Sequence, residues 1–156
     1  MTYNNKTFRV SHGVSKKLII SIIACIFGIV SLFLLLTPGL AYTSAISSKV
    51  TYFSLGEVIW GGSVFSVNPG LIVAFFLVIA ASLIVLATSS FHYIGFLAGI
   101  LFLTAAVLYF CAIPLSSSAI KLLSSKGQAS LAYGTITSGV LLIISSILSF
   151  IASWGE

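Results

Sequence analysis

The residues of this chain that could do chemistry are few and far apart. Glu57 is the one acid before the C-terminal Glu156, the histidines are His12 and His92, and the cysteines are Cys25 and Cys111. General acid–base and metal chemistry need such groups in pairs or clusters held within bonding reach. No His, Asp or Glu lies near either cysteine in sequence, and there is no Cys-x-x-Cys. The two thiols fall inside apolar stretches and read as small hydrophobes. His12 in the N-terminal tail and His92 in a turn cannot supply paired mid-membrane haem ligands. Intramembrane protease constellations are missing, as is the loop cysteine pair of a four-helix thiol–quinone oxidoreductase. The expectation is therefore no catalytic, cofactor-binding or metal-ligating residue and no enzyme, unless a partner supplies the cofactor.

The elements around these residues are dominated by one stretch, 71–113, which contains no Asp, Glu, Lys or Arg and is broken only at 88–93. A bilayer core takes about 20 apolar residues of helix to cross, so this stretch predicts two crossings folded into a hairpin. Composition agrees: 59% of residues are hydrophobic and 6% charged, where soluble domains carry about 25% charged residues. The fold class expected is an all-α integral membrane protein, a four-transmembrane-helix bundle in one domain with a long outer loop that can contain β-structure. Its parts are a cytoplasmic tail at 1–17, spans at 18–36, 71–87, 94–113 and 132–154, a cytoplasmic turn at 88–93, and outer loops at 37–70 and 114–131. The basic start before 18–36 also has the outline of a signal peptide, but the run exceeds the usual apolar region of one, and a retained helix is the reading preferred.

The 37–70 loop is rich in β-branched and aromatic residues. Short strands at 49–55, 58–60 and 64–67, joined by glycine turns, are the local expectation, with a segment lying on the lipid surface as the rival. Asn68-Pro69-Gly70 turns the chain into the next helix. Tyr52, Glu57, Trp60 and Phe65 are the candidate contacts for an outer partner. In the 114–131 loop, 119–123 reads as a short amphipathic turn.

Within the spans, small residues recur at helical spacing. Gly95 and Gly99 form a G-x-x-x-G; Gly134, Ser138, Ser145, Ser149 and Ser153 share a face; Ser21, Cys25 and Gly28 share another. Helices in lipid associate by close backbone approach at such residues. Gly28, Gly95, Gly99, Ser138, Ser145, Ser149 and Ser153 are therefore the candidate packing or interface positions. Three uses compete: packing within the chain, docking on another protein's helix, and a water-filled path lined by the serines.

Net charge is +5, yet Lys6, Arg9, Lys16 and Lys17 precede the first span while Lys49, Lys121 and Lys126 are scattered. A nucleic-acid binder would gather them on one face, so nucleic acid is not an expected partner. They read instead as a topology signal with lipid headgroup contact. The basic N-terminal cluster predicts that both termini are cytoplasmic, and the expected location of the chain is the plasma membrane. Ionisable groups inside spans mark ion coupling and proton relays; their absence argues against a proton-coupled transporter, including small multidrug exporters with a glutamate in the first helix.

A long first outer loop with strand character and a shorter second one resemble claudin-type four-helix proteins in topology. That family's first loop carries a Trp, a Gly-Leu-Trp and two cysteines; here there is Trp60-Gly61-Gly62 and no loop cysteine, so no residue role carries over. The function expected first is a non-catalytic accessory or structural subunit of a larger membrane complex, with the bilayer and other membrane subunits, hetero- or homo-oligomeric, as partners. The alternatives are an outward-facing self-assembly or adhesion protein acting through loop 37–70, and a channel or carrier for a small uncharged solute.

Overall fold

A computed structural model describes residues 16–44, 48–62, 64–89, 91–116 and 127–154. In chain order the elements are α1 (Lys16–Phe33), a 3-10 turn (Leu34–Leu36), β1 (Pro38–Ser44), β2 (Val50–Ser54), α2 (Leu55–Trp60), α3 (Pro69–Leu86), α4 (His92–Phe110), α5 (Ala112–Leu115), β3 (Gly127–Leu131) and α6 (Tyr133–Trp154). A second 3-10 turn, Ala87–Ser89, follows α3. Four helices are long and apolar enough to cross a membrane: Lys16–Leu36, Pro69–Leu86, Tyr93–Phe110 and Tyr133–Trp154.

Local chemistry sets the ends of these helices. The Asn68 side chain caps α3 by accepting from the Leu71 N–H, and Pro69 sits where its missing N–H costs nothing. Pro114 has no N–H to give to the carbonyl of Phe110 and crowds it; α4 therefore stops at Phe110 and the chain resumes as the four-residue α5. Each long helix packs against two neighbours, in the cyclic order α1–α6–α4–α3.

The interior of this ring is built largely from small side chains set around a few large ones, among them Phe102 and Tyr109, both wholly buried. Ala24, Ala74, Ala81, Ala98, Ala105, Ser138 and Ser145 are fully buried, while Ile22, Ile26, Val73, Phe76, Leu97, Leu103, Ile147 and Ile151 point outward and are exposed. A water-soluble bundle buries the large side chains and exposes the polar ones. This one is inverted.

One end of the bundle carries an antiparallel sheet in the order β2–β1–β3. Tyr42 stands opposite Thr51 on one side and Ala129 on the other. The register slips between Pro38 and Leu40, so Gly39 sits in a bulge. Its carbonyl accepts from the Ala132 N–H at 3.0 Å and from Thr135 Oγ1 at 2.7 Å, which ties the sheet to the start of α6.

The molecule is mostly helical with a small sheet; the β-structure expected in loop 37–70 is present, and it is extended by a strand from the 114–131 loop, where none was expected. Of the strands expected in 37–70, the one at 49–55 forms as β2, but 58–60 is helical and 64–67 forms no strand. The helical outcome has a local cause. Ser54 Oγ accepts from the Glu57 N–H at 3.2 Å and the Glu57 carboxylate accepts from the Ser54 N–H at 3.0 Å, a reciprocal capping box that starts α2. β1 and β3 arise where no strand was expected. The amphipathic turn expected at 119–123 lies outside the described residues.

Candidate functional site

The small-residue positions lie at contacts between this chain's own helices. A Cβ placed on Gly28 would stand 2.5 Å from Ser82 Oγ and 2.8 Å from the Phe102 ring, where α1, α3 and α4 meet. On Gly95 it would meet the Thr88 side chain at 2.5 Å and the Ser149 carbonyl at 3.1 Å; on Gly99, the Phe150 ring at 2.7 Å. The same added carbon on Gly95 would stand 3.2 Å from Ser153 Cβ, on the α4–α6 seam.

The buried hydroxyls of α6 are bonded to backbone. Ser138 Oγ donates to the Ser31 carbonyl at 3.2 Å and Ser146 Oγ to the Gly99 carbonyl at 2.8 Å, each bond crossing between helices. Ser145 and Ser149 donate to the carbonyls of Leu141 and Ser145, at 3.0 and 2.7 Å. A hydroxyl so bonded has its proton directed at its own helix and offers a passing solute no donor. This geometry is that of a packed seam.

Among the described residues, Ser21 Oγ, Ser82 Oγ, Thr88 Oγ1 and Tyr109 Oη are buried with no hydrogen-bond partner. Tyr109 is the largest and is wholly buried. Burying an unbonded hydroxyl is unfavourable, so Tyr109→Phe, which keeps the ring, is expected to stabilise the bundle by about 1 kcal/mol. Thermal unfolding in detergent measures this; a lower transition would mean that the phenol is bonded in the folded protein.

At the sheet end, the four outer-loop candidates separate into two kinds. Tyr52 on β2 is 60% exposed and Trp60 at the end of α2 is 47% exposed. The Trp60 ring also packs edge-on against Phe75 of α3, centroids 5.4 Å apart, which seats it against the bundle. Glu57 is exposed, and its carboxylate is engaged in the capping box with Ser54. Phe65 is only 5% exposed and packs edge-on against Phe53 at 5.0 Å. It belongs to the core under the sheet, leaving Tyr52 and Trp60 as the open aromatic side chains of the four.

Two functional candidates escaped the sequence. Asn68 Nδ2 donates to Ser116 Oγ at 3.2 Å, joining the start of α3 to the end of α5. These two residues help line a pocket of about 190 Å³ together with Leu115 and the 65–69 segment. The N-cap preference of Asn before Pro69 was a readable signal for the position of Asn68; nothing local pointed to Ser116. The other candidate is the outer edge of β2, where Val50, Thr51 and Tyr52 are exposed and no strand pairs among the described residues.

Among the described residues, no three His, Cys, Asp or Glu side chains come together to hold a metal ion. No protein-family model matches the chain, and no curated protein matches it, so its function is read from the helix seams and the sheet end alone.

Proposed function

We propose that the chain is an integral membrane protein of the plasma membrane that acts as a non-catalytic assembly subunit, joining a second membrane protein through its outer sheet. The inverted bundle supports the first part: large apolar side chains cover its sides, an arrangement that aggregates in water and is stable in lipid. The cations at the start of α1, Lys16 and Lys17, together with Lys6 and Arg9 before them, favour a cytoplasmic N-terminus. Four crossings return the C-terminus to the same side and put the sheet outside.

The observation that carries the second part is the edge of β2. A strand edge with exposed Val50, Thr51 and Tyr52 and no proline presents unpaired backbone groups to any strand of matching length. The small-residue faces, the first docking candidates, lie inside this chain's own bundle. Docking therefore moves from the helices to the sheet.

The full chain carrying Val50→Lys and Tyr52→Lys tests this. Both positions are exposed, so thermal unfolding is expected to shift little, within about 0.5 kcal/mol per site. Native mass spectrometry after gentle extraction should find the parent chain with a stoichiometric partner and the variant largely without one. A parent chain recovered as a clean monomer, or a variant that keeps its partner, overturns the reading.

A further inference from the structure

The pocket at the sheet end lies where α3 begins and α5 ends, so its walls include Pro69, the first residue of a candidate span, and Leu115, five residues past the end of another at Phe110. Three polar side chains form part of its lining: Ser66, which is exposed at the rim, and Asn68 and Ser116, each only 6% exposed. The hydrogen bonds of the buried pair can be accounted for atom by atom. Asn68 Oδ1 accepts from the Leu71 N–H at 3.2 Å, which fixes which end of the amide is nitrogen. Asn68 Nδ2 gives one proton to Ser116 Oγ. An amide nitrogen carries two protons and a serine hydroxyl one. The second Nδ2 proton and the Ser116 hydroxyl proton thus have no acceptor among the described residues.

The buried wall of the pocket therefore offers two donors, and among the described residues no ionisable side chain lines it. That combination suits an uncharged acceptor oxygen; a phosphate or carboxylate would find no countercharge among the described residues that line it. At about 190 Å³ it is smaller than the roughly 300–1,000 Å³ that encloses a whole small-molecule ligand. It takes part of a larger molecule. Its rim residues Val67 and Leu115 are exposed and apolar, which suits a ligand whose remainder is hydrocarbon.

We propose that this pocket holds the ester-carbonyl region of an outer-leaflet phospholipid, with Asn68 Nδ2 and Ser116 Oγ as donors and the acyl chains lying along α3 and α4. The proposal rests on the chain spanning a bilayer with the sheet outside. The depth agrees: the ends of membrane-spanning helices meet the interfacial region, where glycerol esters lie.

The test compares two phosphatidylcholines that differ only in linkage, diester and diether, each added to the purified full chain in detergent and followed by native mass spectrometry. The parent chain is expected to retain the diester lipid about tenfold better, the worth of one net hydrogen bond. Asn68→Asp keeps an acceptor for the Leu71 N–H, so α3 stays capped, but it removes the amide protons and should abolish the preference. Leu115→Trp fills the pocket without touching either donor and should reduce diester retention to the diether level. Equal retention of the two lipids by the parent chain, or an undiminished preference in both variants, overturns the proposal. Alkaline carbonate extraction of the native membranes is read alongside. A chain released by carbonate overturns the bilayer reading itself, whereas a carbonate-resistant chain with no ester preference overturns the pocket alone.

Discussion

Gly28→Leu is expected to cost the bundle about 3 kcal/mol, the upper part of the range for forcing extra carbon into a packed interior. Even the first added carbon would lie 2.5 Å from Ser82 Oγ and 2.8 and 3.0 Å from two atoms of the Phe102 ring. The serine hydroxyl can rotate away. The ring cannot, because Phe102 is wholly buried among α1, α3 and α4. The better helix propensity of leucine returns about 1 kcal/mol and does not offset the clash. Chemical unfolding in detergent, followed by circular dichroism, gives the loss. Phe102→Ala in the same chain should recover part of it, and the coupling between the two sites then measures their contact. Ile26→Ala, on the exposed side of the same helix, is the control and should fall within about 0.5 kcal/mol of the parent. If the Gly28 face instead served as a dock for another protein's helix, Gly28→Leu would leave the isolated chain as stable as before and release the partner.

Much of the bundle was legible because lipid-compatible helices announce themselves by what they lack. A stretch such as 71–113, free of charge and interrupted once, has few other structures open to it. The sheet end was harder for a physical reason at each position. The β-branched residues of 58–60 favour a strand, yet the Ser54–Glu57 capping box satisfies the first helical N–H groups and decides the segment. β3, Gly-Gln-Ala-Ser-Leu, has little strand propensity of its own; it is extended because β1 supplies a pairing edge, a contact made across the length of the chain. Phe65 looked like an interface aromatic, and its place under Phe53 depends on a turn that composition does not specify. Asn68 and Ser116 are 48 residues apart, so no motif joins them before the helices are laid side by side.

The same dependence on a long-range contact makes Gly39 sensitive to a minimal change. Gly39→Ala adds one carbon, and that carbon would stand 2.6 Å from Leu55 Cα, 2.8 Å from its Cβ and 2.9 Å from its backbone nitrogen. None of these atoms can move by a side-chain rotation. Either β1 lifts away from α2 or the start of α2 is pushed out, and each motion breaks something. The Leu55 N–H donates to the Thr37 carbonyl at 3.1 Å, and the Gly39 carbonyl holds Ala132 and Thr135 of the α6 junction. A loss of about 3 kcal/mol is expected, concentrated at the sheet. Helical circular dichroism should change little, while amide exchange across Pro38–Ser44 and Gly127–Leu131 should accelerate together, because the central strand carries both ladders. Thr135→Val removes the side-chain bond to Gly39 without adding a clash and should cost about 1 kcal/mol; it separates the lost bond from the collision. Partner association gives the decisive comparison. If it disappears in Gly39→Ala while the helices persist, the ordered sheet is the contact; if it survives a loosened sheet, the partner is held by the lipid-facing helices, and the edge of β2 has no part in it.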